Sequence, residues 1–183
     1  MSTKKLTQCA LFTALTVVGA WISFPLGLGA VSLQTLAVFA CLLFLGGKYG
    51  CVCIACYLCL GAFGLPVFSS FRGGFGVLLG PTGGYLFGLL VGGFVFWALE
   101  RVLTGKWQIL ACVLALFGCY VCGVAWLAYT SLSVTDGGIW VLILQGAAVY
   151  LPFDVVKIGG AVWIKTVLKN PKAIARKENK GWN

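Results

Sequence analysis

Asp154 and Lys157 stand three positions apart inside an otherwise apolar stretch, Tyr150-Leu151-Pro152-Phe153-Asp154-Val155-Val156-Lys157. On a helix that spacing puts both side chains on one face. A carboxylate beside an ammonium in apolar surroundings suits a small polar ligand that carries N–H donors and an anionic group. The plainer reading is an ion pair that only stabilises a helix start, because the dipole favours Asp in a first turn and Lys can snorkel. Against it, an ionisable pair within a membrane-embedded segment costs several kcal/mol unless paired or wetted, so its default reading is a functional site.

Arg72 lies in Phe71-Arg72-Gly73-Gly74-Phe75-Gly76. It reads either as a solvated loop residue or as a cation able to meet a carboxylate in bidentate geometry. The glycines around it permit close backbone approach or a moving lid. In Leu79-Gly80-Pro81-Thr82-Gly83-Gly84-Tyr85, Thr82 is a candidate helix cap. Gly83 and Gly84 remove side chains, so a ligand or another helix can approach there, and Tyr85 offers a flat face and a hydroxyl. No Gly-Lys-Ser/Thr follows, so this is no phosphate loop, and any energy from ATP must come from a partner.

Two overlapping C-x-x-C spacings in Cys51-Val52-Cys53-Ile54-Ala55-Cys56-Tyr57-Leu58-Cys59, and a third at Cys119 and Cys122, raise a thiol oxidoreductase or a metal site. Thiol chemistry needs a thiolate stabilised by a helix N-terminus or a positive neighbour. Mid-helix placement in an apolar segment supplies neither. With no histidine, Cys/His zinc sites are excluded. The cysteines read as small packing residues, without disulfides. Ala10 and Ala14 form a small-xxx-small face on the first helix, suited to internal packing or to docking another membrane subunit.

The elements that position these residues follow from composition. Apolar residues make up 61% of the 183, charged residues 9%, and mean hydropathy is +1.02. A soluble domain carries about 25% charged residues. The chain is therefore read as an all-α integral membrane protein, residues 1–183 forming one bundle of about six helices. Gly and Pro punctuate the apolar runs into expected helices over 6–24, 33–45, 49–63, 82–99, 107–129 and 152–169, with a loop over 67–81. The second and third fall short of the about 20 residues a span needs. The N-terminal run is read as the first span and not as a signal peptide. The piece 139–149 reads as re-entrant, as a surface helix, or as the start of a bent sixth helix.

Six spans put both termini on one side. That side collects eleven of the thirteen basic residues, Arg72 and Lys157 being the exceptions. By the positive-inside rule both termini are cytoplasmic, 170–183 forming a basic cytoplasmic tail. The net charge of +9 thus reports topology in a lipid environment and not a nucleic-acid partner. Arg72, Asp136 and the start of the last helix fall near the outer face.

Over nearly its whole length the chain resembles the BioY family, the biotin-specific S-components of energy-coupling factor (ECF) transporters. The resemblance rests on Ala10 to Gly27, Ser32-Leu33-Gln34-Thr35-Leu36, Gly61 to Pro66, Gly80 to Tyr85 and Leu151 to Lys157. Many members have Pro-Gly-Asp-Leu-Leu-Lys where this chain has Phe153-Asp154-Val155-Val156-Lys157, with the Asp and Lys spacing kept. The resemblance implies a six-helix substrate-binding subunit in the cell membrane, not an enzyme and without a cofactor of its own. It would capture biotin from outside and associate with a transmembrane coupling protein and two cytoplasmic ATPases. Ala10 and Ala14 would meet the coupling protein, and 139–149 would form a bent outer approach to the sixth helix. Asp154 and Lys157 would meet the ureido ring or the carboxylate, and Arg72 the valerate end. Tyr85, Phe68, Phe71 and Trp21 would form apolar walls, with Gln34 and Gly84 also in the binding set. A membrane thiol enzyme and a purely structural subunit remain the competing classes.

Overall fold

The computed structural model of the chain describes residues 2–26, 29–131 and 147–169. Helix α1 (Thr3–Trp21) leads into a two-stranded antiparallel hairpin, β1 (Ser23–Leu26) and β2 (Gly29–Ser32), in register Ser23 with Ser32. Then come α2 (Gln34–Leu45) and α3 (Gly47–Ala62), a short 3-10 turn at Ser69–Phe71, α4 (Phe75–Leu79), α5 (Gly83–Leu99) and α6 (Gln108–Ser131). The last described helix is α7 (Leu151–Lys169). Among the described residues six long helices match the sequence expectation, and the 67–81 loop additionally contains the five-residue α4. The pieces 139–146 and 170–183, with Asp136, lie outside the described residues.

Local chemistry explains the sharpest turn. Gly46, at φ +82°, ends α2, its N–H donating to Leu42 O at 3.0 Å. Left-handed backbone there favours glycine. The next helix begins at once, and the Glu100 carboxylate at the end of α5 accepts from Gly47 N at 2.7 Å, satisfying a free donor at the α3 N-terminus.

Among the described residues, one helix, Gln108–Thr130 in α6, is long and apolar enough by length and composition to cross a bilayer. The 12-residue α2 is shorter than a span, but it packs against α1, α3 and α7, and most of its side chains are buried. Its neighbours cover it. The α5–α6 pair is close because Gly84, Gly88 and Gly92 recur every fourth position on α5, where an added Cβ would collide with Trp126, Cys119 and Ala115 of α6 respectively. Tyr57, Phe68, Phe96, Leu42 and Ile158 are among the largest fully buried side chains of the core.

The two ends of the bundle differ. At one end Lys5 sits over the Tyr49 ring at 5.2 Å, Glu100 caps α3, and Lys165 Nζ donates to Gln108 Oε1 at 2.7 Å. At the other, Trp21 Nε1 donates to Pro66 O at 2.7 Å and Trp126 Nε1 to Gly80 O at 3.0 Å. The basic residues of the chain's short connections belong to the first end. Asp154, in the opening turn of α7, belongs to the second.

Candidate functional site

Helix α7 opens with Leu151-Pro152, a start at which proline's missing N–H leaves no intrahelical bond unmade. In this first turn the Asp154 side chain is 10% exposed, and that of Lys157, three residues on, 11%, so this pair is nearly dry. Lys157 Nζ donates to Asp154 Oδ1 at 2.7 Å. Thr35, in the first turn of α2, donates its hydroxyl to the same oxygen at 2.8 Å, and Lys157 Nζ also reaches Thr35 Oγ1 at 3.3 Å. Tyr120 of α6 donates to Asp154 Oδ2 at 2.7 Å. Three helices therefore converge on one carboxylate. Hydrogen bonds to a charged acceptor offset the desolvation that burial of the pair imposes.

This network lies in the wall of a cavity of about 160 Å³. Ser32, Gln34 and Thr35 enter from the β2–α2 junction, Phe68, Ser69 and Arg72 from the loop after α3, and Pro81, Thr82, Tyr85, Leu86 and Leu89 from α5 and the turn before it. Leu116, Cys119 and Tyr120 of α6 close the side against α7. The walls are mainly apolar with a few convergent polar groups, the usual character of a small-molecule site. Tyr85 and Tyr120 meet edge to face, with centroids 5.9 Å apart. Gln34 is 5% exposed, and its amide nitrogen is buried without a hydrogen-bond partner. A buried donor left so costs about 1–3 kcal/mol, which an acceptor on a ligand would recover.

The structure thus brings Asp154, Lys157, Arg72, Tyr85, Gln34 and Phe68 of the expected set to one cavity. It places three others elsewhere. Gly84 is buried against Trp126, so helix α6 and not a ligand occupies the space its missing side chain opens. Phe71 is exposed and stacks on Trp21, centroids 5.0 Å apart, and neither ring lines the cavity. Thr35 and Tyr120 were not singled out from sequence. A hydroxyl in an apolar helix carries no conspicuous cost, and only the tertiary arrangement aims both at Asp154.

Of the two roles open to the glycines around Arg72, close backbone approach is the one observed. Gly74 N donates to Gly61 O at 2.7 Å, and a Cβ on Gly73 would collide with Leu65 O. Ala10 and Ala14 are exposed on α1, whose opposite face buries Cys9, Thr13, Thr16 and Ala20. Among the described residues no group of His, Cys, Asp and Glu could hold a metal ion.

The sequence matches the BioY family over residues 1–173. It is 41% identical over 167 residues to the biotin transporter BioY of Thermotoga maritima, covering 91% of this chain and 96% of that protein. It is 31% identical to the biotin transporter BioY of Rhizobium etli, covering 86% of this chain and 88% of that one. Its fold superposes on the crystal structure of the S-component for biotin from an ECF-type ABC transporter with TM-score 0.82 and 25% identity, covering 93% of this chain and 95% of that chain.

Proposed function

The chain belongs to the BioY family, and we propose that it is the biotin-binding membrane subunit of a vitamin uptake transporter. It captures biotin at the outer face and delivers it inward together with a transmembrane coupling protein and two ATP-binding cassette ATPases. The observation that carries this reading is the nearly dry Asp154–Lys157 pair in the wall of an otherwise largely apolar cavity. A charged pair there is tolerable when a polar ligand completes its hydrogen bonds.

Biotin offers matching groups: a ureido ring with two N–H donors and a strong acceptor, an apolar thiophane ring, and a valerate carboxylate. Asp154 accepts from the ureido N–H. Lys157 and the unpaired Gln34 amide supply donors for the ureido oxygen, supported by the proximity of Thr35, the residue after Gln34, to Asp154. Arg72, exposed at the cavity's edge, meets the carboxylate. Tyr85, Phe68, Leu86 and Leu89 line the space for the thiophane ring and chain.

Placement of the basic residues at one end of the bundle and Asp154 toward the other supports cytoplasmic termini in the cell membrane and a site that opens outward. Exposure of Ala10 and Ala14 supports the docking of α1 to the coupling protein. The deciding experiment is equilibrium binding of biotin to the detergent-purified chain, with Asp154→Asn alongside. Tight binding that collapses in the variant bears the reading out. No binding by well-folded wild type refutes it and calls for a panel of other vitamins.

A further inference from the structure

Neither Trp21 nor Phe71 lines the cavity, yet Phe71 belongs to the turn that carries Arg72 and Trp21 packs against it. Phe68 N donates to Arg72 O at 2.9 Å, closing residues 68–72 into a tight reversal. Phe68, Ser69 and Arg72 line the cavity, whereas Ser70 and Phe71 do not. The reversal is achieved by two successive left-handed residues, Ser70 at φ +60° and Phe71 at φ +57°. That backbone is unfavourable for any L residue and an outlier for a bulky one. Such conformations persist only where the surroundings over-determine them.

Trp21 supplies that constraint from the end of α1. Its ring stacks on Phe71, centroids 5.0 Å apart and planes inclined at 27°, and its Nε1 donates to Pro66 O at 2.7 Å. It therefore grips the loop both just before the reversal and within it. From the α3 side, Gly61 leaves room for the Phe68 ring and accepts from Gly74 N. Within the turn, Arg72 Nε donates to Ser69 O at 3.4 Å, which orients the guanidinium.

We infer that Trp21 and Phe71 are positioning residues: their stack holds the left-handed Ser70–Phe71 turn and so fixes Arg72 at the cavity edge for the carboxylate of the ligand. The inference rests on the assignment of Arg72 to that carboxylate. A group fixed before binding loses less freedom on binding, so the stack contributes affinity without touching the ligand. The contribution is confined to ligands that carry the anionic group.

That restriction supplies the test. Binding of biotin and of biotinol, which has a primary alcohol in place of the carboxylate, is measured for wild type, Trp21→Leu, Phe71→Gly, Arg72→Ala and the double variant Phe71→Gly/Arg72→Ala. Glycine adopts positive φ at little cost, so Phe71→Gly removes the ring while relieving the backbone. Expected is a loss of at least about tenfold for biotin in each single variant against less than about threefold for biotinol. In the double variant the loss equals that of Arg72→Ala alone. Equal losses for the two ligands, or losses that add in the double variant, overturn the positioning role while leaving the biotin reading intact. Wild type that binds neither ligand overturns that reading, and this inference with it.

Discussion

The Tyr120 hydroxyl donates to Asp154 Oδ2 at 2.7 Å and thereby ties α6 to α7 through a single carboxylate. Lys157 and Thr35 occupy the other oxygen. An ionised carboxylate offers about four acceptor positions, so most are filled before any ligand arrives. Tyr120→Phe keeps the ring against Tyr85 and deletes the donor. A hydrogen bond to a charged group contributes about 1.5–3 kcal/mol. Biotin affinity is expected to fall by roughly tenfold or more, with a small drop in Tm. Unchanged affinity and unchanged Tm in this variant would remove Tyr120 from the network.

The Asp154–Lys157 pair predicts a dissociation between stability and binding. Asp154→Asn and Lys157→Ala are each expected to weaken biotin binding by at least about tenfold. Each also strips one partner from a pair whose side chains are 10% and 11% exposed. Breaking a buried pair costs about 3–5 kcal/mol, whereas replacing both members with neutral groups is often harmless. The double variant Asp154→Asn/Lys157→Met should therefore melt close to wild type and still fail to bind. Thermal denaturation and ligand titration on the same samples decide it, and a double variant that binds biotin like wild type sinks the site.

The long helices were legible because Gly and Pro interrupt apolar runs. The expected 33–45 and 82–99 became Gln34–Leu45 and Gly83–Leu99. The hairpin was not legible: Pro25 and Gly27 read as a stop, and four-residue strands carry too little periodicity to override that. The same brevity hid α4. Within the site, Asp154 and Lys157 announced themselves because charge in an apolar run is costly. Sequence gives a side chain's type but not its direction, so it offers Phe71 and Trp21 as cavity walls. The left-handed backbone at Ser70 and Phe71 turns the Phe71 ring away from the cavity.

Gly84 is predicted to matter for folding and not for ligand contact. An added Cβ would collide with the Cβ of Trp126 and crowd the backbone of α6. Neither helix can yield locally, since Gly88 and Gly92 hold the same close approach further along. Overpacking of this kind costs about 1–3 kcal/mol or more. Gly84→Ala should lower Tm and the yield of folded protein, while the molecules that do fold keep biotin affinity within about threefold. A large affinity loss at unchanged Tm would instead place Gly84 at the ligand.

The cysteine spacings are tested by the access of a thiol reagent. In the helix α3 run, Cys51 and Cys53 are buried while Cys56 and Cys59 are exposed, so of the two overlapping C-x-x-C spacings Cys53/Cys56 has one thiol hidden and Cys56/Cys59 has both accessible. N-ethylmaleimide should modify Cys56 and Cys59 first, because reaction follows access as well as thiolate character. Cys119 differs: it is buried and lines the cavity, with its Sγ 3.5 Å from Tyr85 O. It should resist the reagent in the folded protein and be protected further by biotin. Mass spectrometry of the labelled chain identifies the sites, and binding measured on that sample tests their consequence. Affinity unchanged to within about twofold after modification of Cys56 and Cys59 leaves those thiols as packing and lipid-facing groups. Abolished binding would return thiol chemistry to the list of functions, because neither residue lies within reach of the Asp154 network through the cavity wall.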